Sequence, residues 1–361
     1  MFKSLKENQS IVALVEVAGS HDECLLSQLV ALKGRDCKVI LVCNKRIKER
    51  NPQFSKWVDE WILVDFLSKA WKDFMLVRKM MKDIKKAGAK HIIFNTGQGG
   101  IVRNAVVLSM FSKLKFFGLI HTTRKFQGSA TQKVISWKVK NYLVLSQHLL
   151  ASIDPPKNVT LDYFYPLRFP SFSEKLVKND VLQITLIGGV ENRRKDLLGF
   201  IEMIGELENV HFTFLGRTDP ESDEVKHWKE ELVARGLINN ITLFDGFVSQ
   251  EKFDAVLQQS DAILPLIHPN TPSADQYFKN QIAGAMTVSF SYKIPMLLHQ
   301  KYASIQEMET AAIYYDSETF KSALAKLPIE KEVVKQKMKE EQAYQKEFQE
   351  SRYADFIFNE K

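Results

Sequence analysis

Several features are missing from this sequence or scarce in it, and each removes a class of protein. Long apolar runs are missing: no stretch reaches the about 20 residues needed to cross a bilayer. The early segment Ile11 to Ala18 is short, is interrupted by Glu16 and lacks a secretory cleavage pattern, so it reads as a first strand. Cysteine is scarce: Cys24, Cys37 and Cys43 are odd in number and crowded near the start. They fit neither a disulfide framework nor a zinc pattern, which points to a reducing, cytoplasmic setting. No Asp-x-Asp motif is present, so no bound metal and no resident cofactor are expected. Repeats and low-complexity segments are absent as well.

What is present is ordinary in amount and uneven in placement. A hydrophobic content of 45% and a charged content of 26% are those of a globular chain, which excludes wholesale disorder. The 361 residues exceed one core and suit two domains of roughly 150–200 residues each. Residues 1–165 hold 27 Lys and Arg against 13 Asp and Glu, whereas residues 166–361 hold 23 against 30. A basic half beside an acidic half suits either scattered solvated lysines or attraction to an anionic leaflet or anionic substrates. Nucleic acid is not expected as a partner, because the basic residues are not joined to a reading module.

Short apolar runs alternate with segments of helical period. Ser10–Val17, Lys38–Cys43, Trp61–Val64, His91–Asn95, Phe116–Ile120 and Tyr142–Ser146 read as parallel strands. Helices are expected over Asp22–Lys33, Lys69–Ala87, Gly100–Leu114 and Thr131–Lys138. Asp154-Pro155-Pro156 and then Tyr165 to Pro170 break the pattern. It restarts with strands at Val181–Ile187, Val210–Leu215, Ile241–Phe244, Asp261–Leu266, Pro295–His299 and Ala312–Tyr315. Helices fall at Asp196–Leu207, Val225–Gly236 and Gln250–Gln259. Tyr277–Lys293 alternates like a strand but lies where a helix is needed, and Lys331–Glu350 reads as one long charged helix. The expected architecture is α/β, with two Rossmann-like doubly wound domains and an interdomain cleft. The first would span 1–165, a linker 166–180 and the second 181–330. Residues 331–361 would form a helix and tail crossing back to the first domain.

The most specific stretch is Ile187-Gly188-Gly189-Val190-Glu191-Asn192-Arg193-Arg194-Lys195-Asp196. Glycines ending a strand, three cations and a helix start can hold a diphosphate; the plain alternative is a βα turn with solvated basic residues. Phe214-Leu215-Gly216-Arg217, Phe244-Asp245-Gly246-Phe247-Val248 and Ser260-Asp261-Ala262-Ile263-Leu264-Pro265 follow in order. Together they resemble the carboxyl-terminal domain of GT-B glycosyltransferases of the retaining, family-four type. Gly19-Ser20-His21 and His121 are similar to that family's acceptor loop and to the histidine after an inner strand.

The resemblance implies roles. Lys195, with Arg194 or Arg193, would hold the donor diphosphate, and Gly188, Gly189 and Gly216 would allow the approach. Phe247 and Val248 would frame the base, and Gly19 and Ser20 would border the acceptor. His121 would sit near the transferred sugar, capping a loop being its plain role; His21, Asp22 or Glu23 would be the base if transfer inverts, helix capping being the plain role of Asp22. The family's arginine after the glycines is here Val190, and its two glutamates are Asn280 and Val288. In their place Asn280, Ile282, Ala283 and Gly284 could present a helix start to the diphosphate, or form a Gly–Ala helix packed closely on the sheet.

The expected activity is sugar transfer from a nucleotide-diphosphate donor to a glycan or lipid-linked acceptor in surface polysaccharide synthesis. A non-catalytic GT-B partner and a nucleotide-sugar epimerase are the alternatives. The basic stretches Lys69–Lys82 and Met110–Phe117 could rest on an anionic membrane, placing the protein on the inner membrane face, or could be core.

Overall fold

Aliphatic and β-branched runs become inner strands buried on both faces, such as β1 Ile11–Val15 and β2 Lys38–Cys43, as parallel sheets with helical crossovers require. The computed structural model describes residues 9–19, 21–67, 70–126, 128–170, 180–205 and 207–358. Among these residues, thirteen strands form two sheets in which every pairing is parallel. The chain divides into two units, one of Met1–Pro166 with Lys346–Lys361 and the other of Leu167–Gln345.

The first unit holds β1 Ile11–Val15, β2 Lys38–Cys43, β3 Glu60–Leu63, β4 His91–Phe94, β5 Lys115–Ile120, β6 Asn141–Val144 and β7 Thr160–Tyr163. Its sheet order is β3-β2-β1-β4-β5-β6-β7, so chain direction across the sheet reverses between β1 and β4. The helices are α1 Leu25–Gly34, α2 Lys45–Arg50, α3 Ala70–Lys86, α4 Gly100–Leu108, α5 Ala130–Ile135 and α6 Gln147–Ala151. The second unit holds β8 Leu182–Ile187, β9 Val210–Arg217, β10 Ile241–Phe244, β11 Ala262–Ile263, β12 Met296–His299 and β13 Ala312–Tyr315. Their order is β10-β9-β8-β11-β12-β13, reversing between β8 and β11. Its helices are α7 Leu197–Ile204, α8 Asp223–Ala234, α9 Gln250–Gln259, α10 Ala274–Lys279, α11 Gly284–Tyr292 and α12 Phe320–Glu340. The last helix, α13 Lys346–Phe358, belongs to the first unit.

Several expectations change in the structure. β7 is a strand inside the stretch read as a break. It is an edge strand held on β6 and pinned from α13, where Arg352 stacks 3.9 Å from the Tyr163 ring and donates to Asp162. The single helix expected over Lys331–Glu350 is two. α12 starts at Phe320 and runs through Pro328, because Phe320, Ala323, Leu324 and Leu327 bury one helical face and offset the lost N–H bond. It stops where Tyr344 stacks on Phe290 at 4.3 Å and the Glu341 carboxylate accepts from Ala343 N–H. Tyr277–Lys293 forms α10 and α11, so the crossover wins over local alternation. The strand expected over Asp261–Leu266 shrinks to two residues, ending before Leu266 at φ 57°. α4 stops at Leu108, and Lys115–Phe117 lies in β5, so Met110–Phe117 is not an amphipathic helix. No helix among the described residues is long and apolar enough to cross a membrane.

α13 buries Tyr353, Ala354 and Ile357, a stripe of helical spacing, and packs on α1. Ile357→Ala removes a fully buried side chain and should cost about 2–5 kcal/mol in denaturant unfolding of the first unit; a cost below about 1 kcal/mol would mean that α13 is not part of its core.

Candidate functional site

In open α/β sheets, ligands bind beyond the carboxyl ends of the strands where chain direction reverses. Each unit gathers polar groups at such a point. In the second, β8 is followed by Gly188 at φ +89°, a conformation that disfavours any side chain. A Cβ on Gly189 would lie 2.0 Å from the Arg217 carbonyl oxygen, and one on Gly216 would lie 2.5 Å from Gly188 Cα. The three glycines therefore answer to one another, letting the turn after β8 lie flat on the end of β9.

Lys195 folds back over this turn. It is 6% exposed, and its Nζ donates to the Gly189 carbonyl at 2.9 Å. Burial pulls its pKa down to about 8, although the charge of Glu191 acts in the opposite direction. No carboxylate among the described residues comes within ion-pairing distance. The turn is tied to the segment after β11: Asp196 N–H donates to Leu266 O at 3.0 Å, while Ser273 donates to Arg193 O through N–H at 3.2 Å and Oγ at 2.6 Å.

The three expected cations thus separate. Lys195 is buried, Arg193 is exposed, and Arg194 is exposed and paired with Glu191 at 3.3 Å. Phe247 lies beyond β10 and is 76% exposed; Val248 beside it is half-buried. Asn280 ends α10, Ile282 is half-buried, and Ala283 is buried at the N-cap of α11, whose first residue Gly284 is exposed. Thr218, unremarked in the sequence, is buried beyond β9 with a hydroxyl that has no hydrogen-bond partner.

In the first unit the residue that organises the reversal point is Glu16, which the sequence shows only as a charge interrupting an apolar run. Its buried carboxylate accepts from Ala18 N–H at 2.5 Å, from Thr96 Oγ1 at 2.9 Å and from Asn95 Nδ2. Burial raises its pKa, with the Asn95 bond opposing. Asn95 Nδ2 also donates to His21 O at 2.9 Å, and Asn95 Oδ1 accepts from Gln28 at 2.5 Å. Gln28 in turn accepts from Tyr353 of α13 at 2.9 Å.

This lattice holds His21 at φ 67°, with its ring stacked on His121 at 3.9 Å. His121 Nε2 lies 2.6 Å from Asn95 O, so Nε2 carries the proton and Nδ1 is left as an acceptor. Burial and then the neighbouring His21 push the His121 pKa down to about 4. Burial lowers that of His21 too, but the hydrogen bond and charge of Glu23, 3.3 Å away, more than compensate, and the net direction is upward. Asp22 does not cap a helix. Its carboxylate is held by Arg50 at 2.9 Å and Asn51 at 2.8 Å. Gly19, at φ 70°, faces Asn44, and Ser20 lies outside the described residues.

No family model and no curated protein matches the chain. Solved structures match it along its whole length. A glycosyltransferase from Rickettsia africae superposes with a TM-score of 0.71 at 13% identity, covering 98% of this chain and 100% of that one. The fold is GT-B. HepE of Anabaena in complex with UDP shares it with a TM-score of 0.68 at 10% identity, over 97% and 99% of the two chains. So does the UDP-GlcNAc 2-epimerase of Neisseria meningitidis bound to UDP-GlcNAc, with 0.61 at 10% over 98% and 100%. At such identities the likeness is one of fold, and the GT-B scaffold carries both kinds of enzyme.

The buried ammonium makes a pH prediction. Lys195 drops from its ordinary value of 10.5 to about 8 on folding, so between those values the unfolded chain binds the extra proton and stability rises with pH. Lys195→Met should remove about 3 kcal/mol of that rise between pH 7.5 and 10.5 in urea unfolding. Lys293, also lowered to about 8, stays in both proteins and cancels. Equal pH slopes would place the Lys195 ammonium in water.

Proposed function

We propose that this chain is a glycosyltransferase using a nucleoside-diphosphate sugar. The observation that carries the proposal is Lys195: a buried cation, paired with no carboxylate among the described residues, lying over a glycine turn at a topological switch point. Burying a charge is expensive unless an opposite charge completes it, and a diphosphate would do so. In the transfer, the acceptor hydroxyl oxygen bonds the anomeric carbon as that carbon's bond to the phosphate oxygen breaks. Negative charge grows on the leaving diphosphate, where Lys195 opposes it without reorganisation. The glycine approach and the free hydroxyl of Thr218 add to the same turn.

Within the first unit, the side chain available to take the proton of an acceptor hydroxyl is His21 in this reading. Its pKa is raised, whereas Asp22 is committed to Arg50 and His121 is held as a neutral partner. The acceptor is a glycan or lipid-linked glycan presented at an anionic surface. α3 supports that clause: Trp71, 74% exposed, and Met75 share its exposed face with Arg78, Lys79 and Lys82, and its buried side is Val77, Met80, Met81 and Ile84. Lys69, at the start of that basic stretch, lies outside the described residues.

Epimerization is the second reading, favoured by the epimerases that share the fold. The discriminating experiment incubates the chain with a panel of nucleotide sugars, with and without glycan and lipid-linked acceptors, and measures free nucleoside diphosphate. Acceptor-dependent release is expected, and Lys195→Ala should lower kcat/KM by about thirtyfold or more, equivalent to about 2 kcal/mol. Inversion of the free donor without an acceptor would replace transfer by epimerization. Binding without any turnover would leave a non-catalytic partner, in keeping with Asn280 and Val288 where glutamates are expected.

A further inference from the structure

The second unit contains a cavity of about 530 Å³, within the range of small-molecule pockets. Its walls come from α7, the loop after β11, the end of β12 and the turn after β13. No residue assigned above to the diphosphate or the base lines it. One wall is a fixed hydrogen-bonded chain. The Asp196 carboxylate accepts from Gly199 N–H at 3.0 Å and from His268 Nδ1 at 2.8 Å, and His268 Nε2 accepts from the Tyr315 hydroxyl at 2.7 Å. Those groups are satisfied by one another and keep the wall rigid.

Part of the remaining polar lining has no protein partner among the described residues. Glu202, Asn270 and Ser317 make no side-chain hydrogen bond among the described residues. His299 Nδ1 accepts from Lys301 N–H at 3.1 Å, which leaves the proton on Nε2. The cavity therefore offers a carboxylate acceptor, an imidazole donor, and an amide and a hydroxyl that can each give and take. Adjacent ring hydroxyls, which donate and accept together, match that set. Among the described residues no lysine or arginine lines the cavity and two carboxylates do, so phosphate is repelled. Among the described residues no Phe, Tyr or Trp ring lines it to stack on a base, Tyr315 standing behind His268. Among the described residues no cluster suits a metal ion.

We propose that this cavity binds a neutral sugar ring, as a site separate from the diphosphate turn. The proposal stands whether or not the chain transfers sugar. The test follows the imidazole resonances of the full chain by NMR during titration with D-glucose, D-galactose, N-acetyl-D-glucosamine and, separately, UDP. At least one sugar should shift the His299 resonances saturably, with a Kd on the order of 1–10 mM, and UDP should not. Glu202→Ala and Asn270→Ala, both at exposed positions, should each weaken that Kd severalfold. Absence of a shift with every sugar overturns the proposal, as does a shift by UDP alone. An unchanged sugar Kd in both variants overturns it as well.

Discussion

One close approach governs the second unit: the glycine turn after β8 lies against the end of β9 with no room for a side chain, and the Lys195 ammonium closes over it. The approach needs Gly188, Gly189 and Gly216 at once, so the glycines have a packing reason before any ligand is considered. The ammonium has none of that kind. A lysine held at 6% exposure against a carbonyl, with its pKa pulled toward neutrality, is costly unless something anionic shares its pocket. That asymmetry, a turn explained by packing beside a cation left unexplained by it, makes the turn a candidate for function.

The first unit solves a different problem by the same topology. Where β1 and β4 diverge, Glu16 is buried and satisfied by three donors, and the amide of Asn95 passes the constraint to His21. His21 then adopts a left-handed conformation, and its ring meets His121. Two imidazoles in contact cannot both carry charge cheaply; burial and then the neighbouring His21 lower His121, while burial of His21 is outweighed by the hydrogen bond and charge of Glu23, so the two proton affinities move apart. The last helix of the chain supports this arrangement from behind through Tyr353.

Legibility in the sequence tracked the range of the interactions involved. β2, β10, α9 and β13 fall on the residues that apolar periodicity picks out, because each is a buried or amphipathic element specified by its own side chains. β7 was not legible, since a four-residue edge strand exists by virtue of β6 and of Arg352, nearly two hundred residues later. The onset of α12 was hidden by Pro328, which local rules treat as a stop. At the site, the glycines and Lys195 could be read because they are adjacent in sequence. That Arg193 and Arg194 are exposed while Lys195 is buried could not, because it depends on Ser273 and Leu266 fixing the turn from another loop. Glu16 was visible only as an oddity in a strand; its partners are 79 and 80 residues away, and the Gln28–Tyr353 contact spans 325.

In the proposed function an anion completes the charge of Lys195. The most direct test is NMR titration of the Lys195 side-chain amine in the full chain with and without saturating UDP. The pKa should lie near 8 in the free protein and rise by at least one unit when UDP binds, because a diphosphate favours the ammonium. A pKa that UDP binding leaves unchanged would contradict a diphosphate seat at this turn.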